Sequence, residues 1–366
     1  MKPRLLIIGG FLGAGKTTLL WELARHFAES NIKVGLVTND QASGLVDTSF
    51  LEQSNNTVLE VSGSCFCCNF NGFIDAVAQA VEVEHCQLVL AEPVGSCTDL
   101  SATILQPLKD KFSQRFEIAP LTVLVEPNKL MDILKGGTAG LHDSAAYILQ
   151  KQLEEADIIL ISKSDLLSQQ EQQDIAAKAG AKWPFAKVMN ISVVTGQGLD
   201  MWLDYAMTKQ HAGMHLVSVD YDTYAEGEAV LGWLNARFAC EGMNVDWDEV
   251  LERTIARLGM LFDRQHIAVG HVKAFVKSES GYAVANLTGT SETIAVRKGA
   301  GKGNKAEMIV NARVEMTPEK LNILVLEILS EIFGDGISWR TLESNCLSPG
   351  RPNPTHRYSE VIEKRS

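Results

Sequence analysis

The segment Gly10-Phe11-Leu12-Gly13-Ala14-Gly15-Lys16-Thr17 constrains this 366-residue chain more than any other. The apolar run Leu5-Leu6-Ile7-Ile8 leads into it, and Thr18-Leu19-Leu20 leads out to Leu23 and Phe27 at helical spacing. A strand, a glycine turn and a helix start in that order surround an anion with backbone N–H groups and the positive end of a helix. The spacing G-x-x-x-x-G-K-[ST] therefore predicts a nucleoside triphosphate site. Gly10, Gly13, Ala14, Gly15 and Thr18 form its cradle. Lys16 is assigned to the β- and γ-phosphates and the Thr17 hydroxyl to Mg²⁺.

Strand-like and helix-like stretches alternate over the first ~205 residues, which predicts an α/β fold with a parallel sheet and helices on both faces. The strands read are 5–8, 34–38, 57–61, 88–91, 121–125, 158–162 and 188–192, with helices clearest at 144–155 and 170–179. Ligand-binding loops are expected at the carboxyl ends of these strands. The pattern changes near Lys209–His215, so the domains are drawn as 1–208, a linker at 209–216, an α+β domain at 217–333 and an irregular tail at 334–366. His211 and His215 lack partners nearby in sequence, and a linker is read there in place of a metal site. In the second domain, Asn244 or Asp246 caps a helix through Phe262. A hairpin spans 266–276 and 282–287, and Thr317-Pro318 opens a helix to about Phe333.

Composition narrows the partners. A net charge of −12 argues against nucleic acid or an anionic membrane surface. No apolar run is long enough to span a bilayer. Seven unevenly spread cysteines do not read as a disulfide framework, which points to a reducing cytosol and a cytoplasmic protein.

Three further motifs carry chemistry. Cys65-Phe66-Cys67-Cys68 gathers three thiols within four residues, a set suited to Zn²⁺, Co²⁺ or a similar divalent transition metal. Cys67 and Cys68 must sit on a turn for both to bind, and Asn69, Asn71 and Gly72 supply turn residues. Buried small hydrophobes or a redox pair are the alternatives. Leu88–Ala91 delivers Glu92 at a strand end, where it can hold Mg²⁺, and Gly95 offers an unhindered N–H to the γ-phosphate. Ser162-Lys163-Ser164-Asp165 nearly matches the guanine motif N-K-x-D. Asp165 can accept from guanine N1–H and the 2-amino group together, and the Lys163 stem lies over the ring. Ser192 opens a second loop expected near the base. The basic segment Arg297–Lys305 is read as a solvated hairpin tip, with a docking site for an acidic client as the alternative.

With these motifs in this order, nearly the whole chain resembles the CobW-like metallochaperone GTPases, relatives of the urease and hydrogenase nickel-insertion GTPases. The resemblance implies a P-loop NTPase domain followed by a smaller CobW-type α+β domain. It also implies GTP and Mg²⁺ as ligands, Zn²⁺ or Co²⁺ on the cysteines, slow intrinsic GTP hydrolysis and delivery of metal to a client protein. By position, Asp40 falls where the family has a metal-binding glutamate, and Asp47 at a switch aspartate on the Mg²⁺ side. The chain departs from the pattern at Asn39-Asp40-Gln41-Ala42 (usually Asn-Glu-Phe-Gly), at Gly63-Ser64 (usually Asn-Gly) and at Ser162 (usually Asn). A homodimer is carried as an option. Two rival functions are a P-loop small-molecule kinase or ATPase, and a nucleotide-gated adaptor with a structural zinc.

Overall fold

The computed structural model describes residues 2–40, 46–54, 56–290 and 294–363. The first ~210 residues supply β1 (Arg4–Gly10), β2 (Val34–Asn39), β3 (Thr57–Val61), β4 (Leu88–Glu92), β5 (Glu117–Ile118), β6 (Thr122–Val125), β7 (Ile158–Ile161) and β8 (Lys187–Asn190). Among the described residues these form one sheet in the order β3-β2-β4-β1-β6-β7-β8, with β5 pairing β1, and every pairing is parallel. Successive residues of β1 point to opposite faces. Leu6 and Ile8 pack with Leu19, Leu20 and Leu23 of helix Lys16–Glu29 and with Trp202, while Leu5 and Ile7 join Phe73, Ile148 and Leu149 on the other face. Each such side chain stabilises by about 1.5–3 kcal/mol when fully buried, so both faces of β1 fix the phosphate loop that follows it.

The remainder forms an antiparallel sheet from β9 (Gly232–Asp246), β10 (Val269–Ser278), β11 (Tyr282–Leu287), β12 (Ala295–Arg297), β13 (Lys302–Val314) and β14 (Ile337–Leu347), in the order β12-β11-β10-β13-β9-β14. Helices Trp247–Arg264 and Pro318–Phe333 pack on one face. Asp246 caps the first by accepting from Glu249 N–H at 3.1 Å, and Thr317 caps the second through Lys320 N–H at 3.4 Å. Period-2 alternation sorts the strands. Val272, Ala274 and Val276 face the helices, as do Met308, Val310 and Ala312. The intervening residues His271, Lys273, Asn311 and Arg313 face the phosphate-loop cleft, while Phe275 and Ile309 pack on Val46 and Phe50.

Several expectations need correction. The stretch 334–366 is not irregular throughout, because Ile337–Leu347 adds an edge strand to β9. The long strand β9 was not read, because its apolar inner side alternates with polar residues over 15 positions and bears no turn signal. Tyr224, Leu231 and Trp233 lie beyond the 209–216 segment and yet belong to the core of the first sheet. His215 packs on Phe185 with ring centroids 4.4 Å apart and the planes tilted by 35°, and no metal-binding group among the described residues includes it or His211. The basic tip is docked: Asp248 accepts from the N–H groups of Gly299, Ala300 and Gly301 at 2.9–3.0 Å, and Arg297 lies over the Trp21 ring.

Candidate functional site

The phosphate loop is set by backbone that only glycine adopts readily. Gly10 has φ +130°, and a Cβ there would sit 2.3 Å from Leu124 O. A Cβ on Gly13 (φ +81°) would meet Thr288, the residue after β11, at 2.8 Å. Gly15 then caps helix Lys16–Glu29. The Lys16 ammonium donates to Gly10 O at 2.8 Å and stands 3.9 Å from Glu92, and burial pushes its pKa down. Thr17 Oγ1 donates to the Glu92 carboxylate at 3.1 Å. Burial, with Asp47 nearby, raises the Glu92 carboxyl to about 7. Gly13, Gly15, Lys16, Thr17 and Thr18 line one cleft with Asp40, Asp47, Glu92 and Gly95, and Ala14 is buried behind them.

The far wall of that cleft is the second sheet, which sequence reasoning missed. Lys273 places its ammonium 2.6 Å from both Asp47 oxygens and 3.3 Å from Thr17 Oγ1. The Val46 N–H donates to Asn311 Oδ1 at 2.6 Å. The signal was present as polar residues at every second position of two strands, a pattern that also fits a solvated face. Lys129 was missed as well; it follows β6 and donates to Leu12 O at 3.1 Å. Between Asp40 and Asp47, residues 41–45 lie outside the described residues.

Asp40 is corrected. Its carboxylate is buried against Arg313 at 2.6 Å and accepts from Asn235 at 3.0 Å, on the second-sheet side of the loop. The metal-type group among the described residues is Cys65, Cys67 and Cys68, whose sulfurs all lie within 4.8 Å of one another. A turn holds them, with Cys68 and Asn69 N–H groups both donating to Cys65 O at 3.0 and 2.9 Å. Asn39 braces it from β2, donating to Ser64 O and accepting from Phe66 N–H, both at 2.9 Å. Sulfurs around a tetrahedral ion at about 2.3 Å stand roughly 3.8 Å apart. The Cys67–Cys68 separation of 3.9 Å matches, and the Cys65–Cys67 separation of 3.0 Å is close, so the set fits a thiophilic ion. The Cys65 thiol pKa is drawn well down by hydrogen bonds from Cys67, Cys68 and Cys97. Residues of the C-terminal stretch cover the turn: Asn353 N–H donates to Cys68 Sγ at 3.3 Å, and Thr355 N–H to Cys67 O at 2.8 Å.

β7 and β8 bring their following loops together, outside the residues that line the cleft, and Ser164 N–H donates to Ile191 O at 3.0 Å. Lys163 adopts φ +52° and Asp165 is exposed. Ser162 is buried and donates to Val125 O at 3.3 Å. Ser192 is also buried, and its Oγ accepts from Thr195 N–H at 3.1 Å, which shapes its turn.

A parallel sheet with a glycine loop after its central strand and an acid at the end of the next strand defines a nucleotide-binding α/β protein of the P-loop class. The chain belongs to the CobW/HypB/UreG family, whose nucleotide-binding domain model matches residues 4–189. It is similar to the zinc chaperone YeiR of Escherichia coli (strain K12), 28% identical over 175 residues covering 46% of this chain and 48% of that one. The zinc-regulated GTPase metalloprotein activator 1 of Dictyostelium discoideum is 24% identical over 200 residues, covering 46% and 41%. The chain thus spans about half the length of these curated relatives. Among solved structures, the hydrogenase maturation factor HypB from Archaeoglobus fulgidus aligns with a TM-score of 0.38 and 19% identity, over 56% of this chain and 88% of that one.

Proposed function

We propose that this protein is a GTP-hydrolysing metallochaperone that carries a Zn²⁺- or Co²⁺-type ion on Cys65, Cys67 and Cys68 and releases it to a client protein as its nucleotide state changes. The observation that carries this reading is the pairing of two sites on one sheet. A cluster of two buried thiols and one half-buried thiol follows β3, and a phosphate loop follows β1, with β2 and β4 between them. Lys16 and the loop N–H groups bind the β- and γ-phosphates. Thr17, Asp47 and Glu92 hold Mg²⁺, which neutralises charge on the phosphates. Gly95 gives its N–H to the γ-phosphate, and it has to be glycine, since a Cβ there would stand 2.5 Å from Leu12 and 3.2 Å from the Lys16 ammonium. Asp165 and Lys163 select guanine. The similarity to proteins named zinc chaperone and zinc-regulated GTPase supports both the nucleotide and the metal. The proposed division is a first domain of 1–208 joined through 209–216 to a second domain that β14 extends beyond residue 333 and whose first stretch packs on the first sheet.

The test is a paired titration. Purified protein is titrated with Zn²⁺ in the presence of Mg²⁺ and either GDP or a non-hydrolysable GTP analogue, and phosphate release is followed separately. The proposal expects one bound ion that Cys67→Ala abolishes, and an affinity that differs between nucleotides. By linkage, the ion must change triphosphate affinity by the same factor. Lys16→Ala should abolish hydrolysis with metal binding retained. Equal metal affinity in both nucleotide states ends the coupling claim. Transfer of phosphate from ATP to a small acceptor, with no preference for GTP, replaces it with the kinase reading.

A further inference from the structure

From residue 348 to 363 the chain has no helix or strand, and it crosses two loops of the first sheet. Over the cysteine turn, Asn353 N–H donates to Cys68 Sγ at 3.3 Å, Thr355 N–H to Cys67 O at 2.8 Å and Thr355 Oγ1 to Cys68 O at 3.0 Å. Beyond β4, Arg357 Nε donates to Asp99 Oδ2 at 2.7 Å, and Tyr358 N–H to Ala102 O at 3.1 Å. His356 lies between them in sequence, its ring edge-on to Phe70 with centroids 5.1 Å apart. Asp99 closes the segment that opens at Glu92 and Gly95. It is fully buried, accepts a second hydrogen bond from Tyr221 Oη at 2.7 Å and holds φ +65°. Such a backbone at a residue other than glycine persists where its surroundings fix it, and Arg357 is one of the groups that fix it.

We propose that residues 353–358 are a gating strap, latched by Arg357 to the γ-phosphate segment at Asp99, that closes the path between the ion on the cysteine turn and an outside donor until the nucleotide loosens the latch. This rests on the metallochaperone reading above and names the step that release uses. The strap is built to lift. None of residues 353–358 is buried, so little apolar surface returns to water when they move. Local opening is cheapest where contacts are few and the backbone hydrogen bonds are exposed. The strap also stands where an incoming ligand must arrive. Cys65 and Cys67 are 4% and 2% exposed, whereas Cys68 is the half-buried member, and it is the sulfur that Asn353 touches. The latch in turn sits on the segment that meets the γ-phosphate, four residues beyond Gly95. Gln152 donates to Gly95 O at 3.0 Å and to Cys97 O at 2.8 Å, while Glu155 accepts from Thr98 Oγ1 at 3.1 Å and from Ser101 N–H at 2.8 Å. Both belong to helix Asp143–Glu155, so segment and helix shift as one piece and carry a displacement at Gly95 to Asp99.

The experiment uses the full chain loaded with Zn²⁺ and times its transfer to a chromophoric chelator, with Mg²⁺ in excess and either GDP or a non-hydrolysable GTP analogue. Arg357→Leu and Thr355→Val are compared with the unaltered protein, with Cys67→Ala, and with Lys298→Gln as a control at an exposed ion pair after β12. In the nucleotide state that releases more slowly, Arg357→Leu should speed transfer at least about tenfold, since a hydrogen bond to a charged group is lost. Thr355→Val loses a neutral one and should speed it about threefold, and Lys298→Gln should stay within about twofold. The ratio of transfer rates between the two nucleotides, about fivefold or more in the unaltered protein, should fall to within about twofold in Arg357→Leu. The amount of Zn²⁺ bound should not change in Arg357→Leu, which separates a gate from a ligand. Unchanged transfer in Arg357→Leu, with zinc binding lost in Cys67→Ala, overturns the strap and leaves the chaperone reading standing. Zinc binding that survives in Cys67→Ala sinks that reading, and the strap with it. If Arg357→Leu does not fold, amide hydrogen exchange on the unaltered protein decides. Faster exchange at Thr355 and Tyr358 in the nucleotide state that releases faster supports the proposal, and equal protection in both states overturns it.

Discussion

Lys273 of β10 and Asp47 of helix Val46–Leu51 form a bidentate ion pair across the cleft, with Nζ 2.6 Å from each carboxylate oxygen. The same ammonium is 3.3 Å from Thr17 Oγ1, which in turn bonds Glu92. A fixed positive charge from the second sheet therefore stands among the three groups assigned to Mg²⁺. Entry of the divalent ion has to displace it, so Lys273→Met should lower the Mg²⁺ concentration for half-maximal GTP hydrolysis by about tenfold, equivalent to ~1.4 kcal/mol. A Mg²⁺ titration reads this directly, and an unchanged or raised midpoint refutes the competition.

Arg313 and Asp40 form the second bridge between the sheets, and both side chains are buried. Removing one partner of a buried pair leaves an uncompensated charge. Arg313→Met is therefore expected to cost about 3–5 kcal/mol in denaturant unfolding. Asp40→Asn should leave zinc affinity within about threefold of the unaltered value, because Asp40 is paired with Arg313 and stands outside the group of three thiols. A calorimetric loss well beyond that would restore Asp40 as a ligand.

Gly10 admits no side chain. Its φ of +130° is strained for any L-residue, and a Cβ would overlap the Leu124 carbonyl of β6. Gly10→Ala should lower stability by at least ~2 kcal/mol and abolish nucleotide binding, as measured by thermal unfolding and fluorescent-nucleotide titration. Tolerance with wild-type affinity would contradict this backbone assignment.

Glu155 gives a dependence on pH. It is fully buried, accepts from Ser101 N–H at 2.8 Å and Thr98 Oγ1 at 3.1 Å, and faces Asp99, which pairs with Arg357. Burial raises its carboxyl from 4.5 to about 8. Between those values the folded chain holds a proton that the unfolded chain has lost, so its contribution to stability falls as pH rises from about 4.5 through about 8. Unfolding midpoints across this range should slope downward, and Glu155→Gln should flatten the slope. An identical slope in the variant removes Glu155 as the cause.

The stretch after β14 covers the cysteine turn, with Thr355 Oγ1 donating to Cys68 O at 3.0 Å and Tyr358 N–H to Ala102 O at 3.1 Å. A chain ending at Leu347 should expose Cys68, raising its alkylation rate in metal-free protein by about tenfold or more. An unchanged rate, read by mass spectrometry, would show that these residues shield nothing.

Much of the first sheet was legible because its strands are apolar on both sides and end at glycine or acidic loops. The phosphate loop, Glu92 and the cysteine turn fall within single short segments, where spacing alone carries the chemistry. The second sheet was half legible. Its hairpin and its two capped helices showed themselves locally, but β9 and β14 did not, since their partners lie up to about 100 residues apart in the chain.

The sequence by itself determined a phosphate-binding α/β sheet and a three-thiol turn, because both depend on residues that neighbour one another along the backbone. Tertiary structure alone decided that Lys273 and Arg313 close the cleft and that Asp40 pairs with Arg313. Each of those outcomes depends on which face of a distant strand or loop meets another. Period-2 alternation states that there are two faces and leaves open what each will touch.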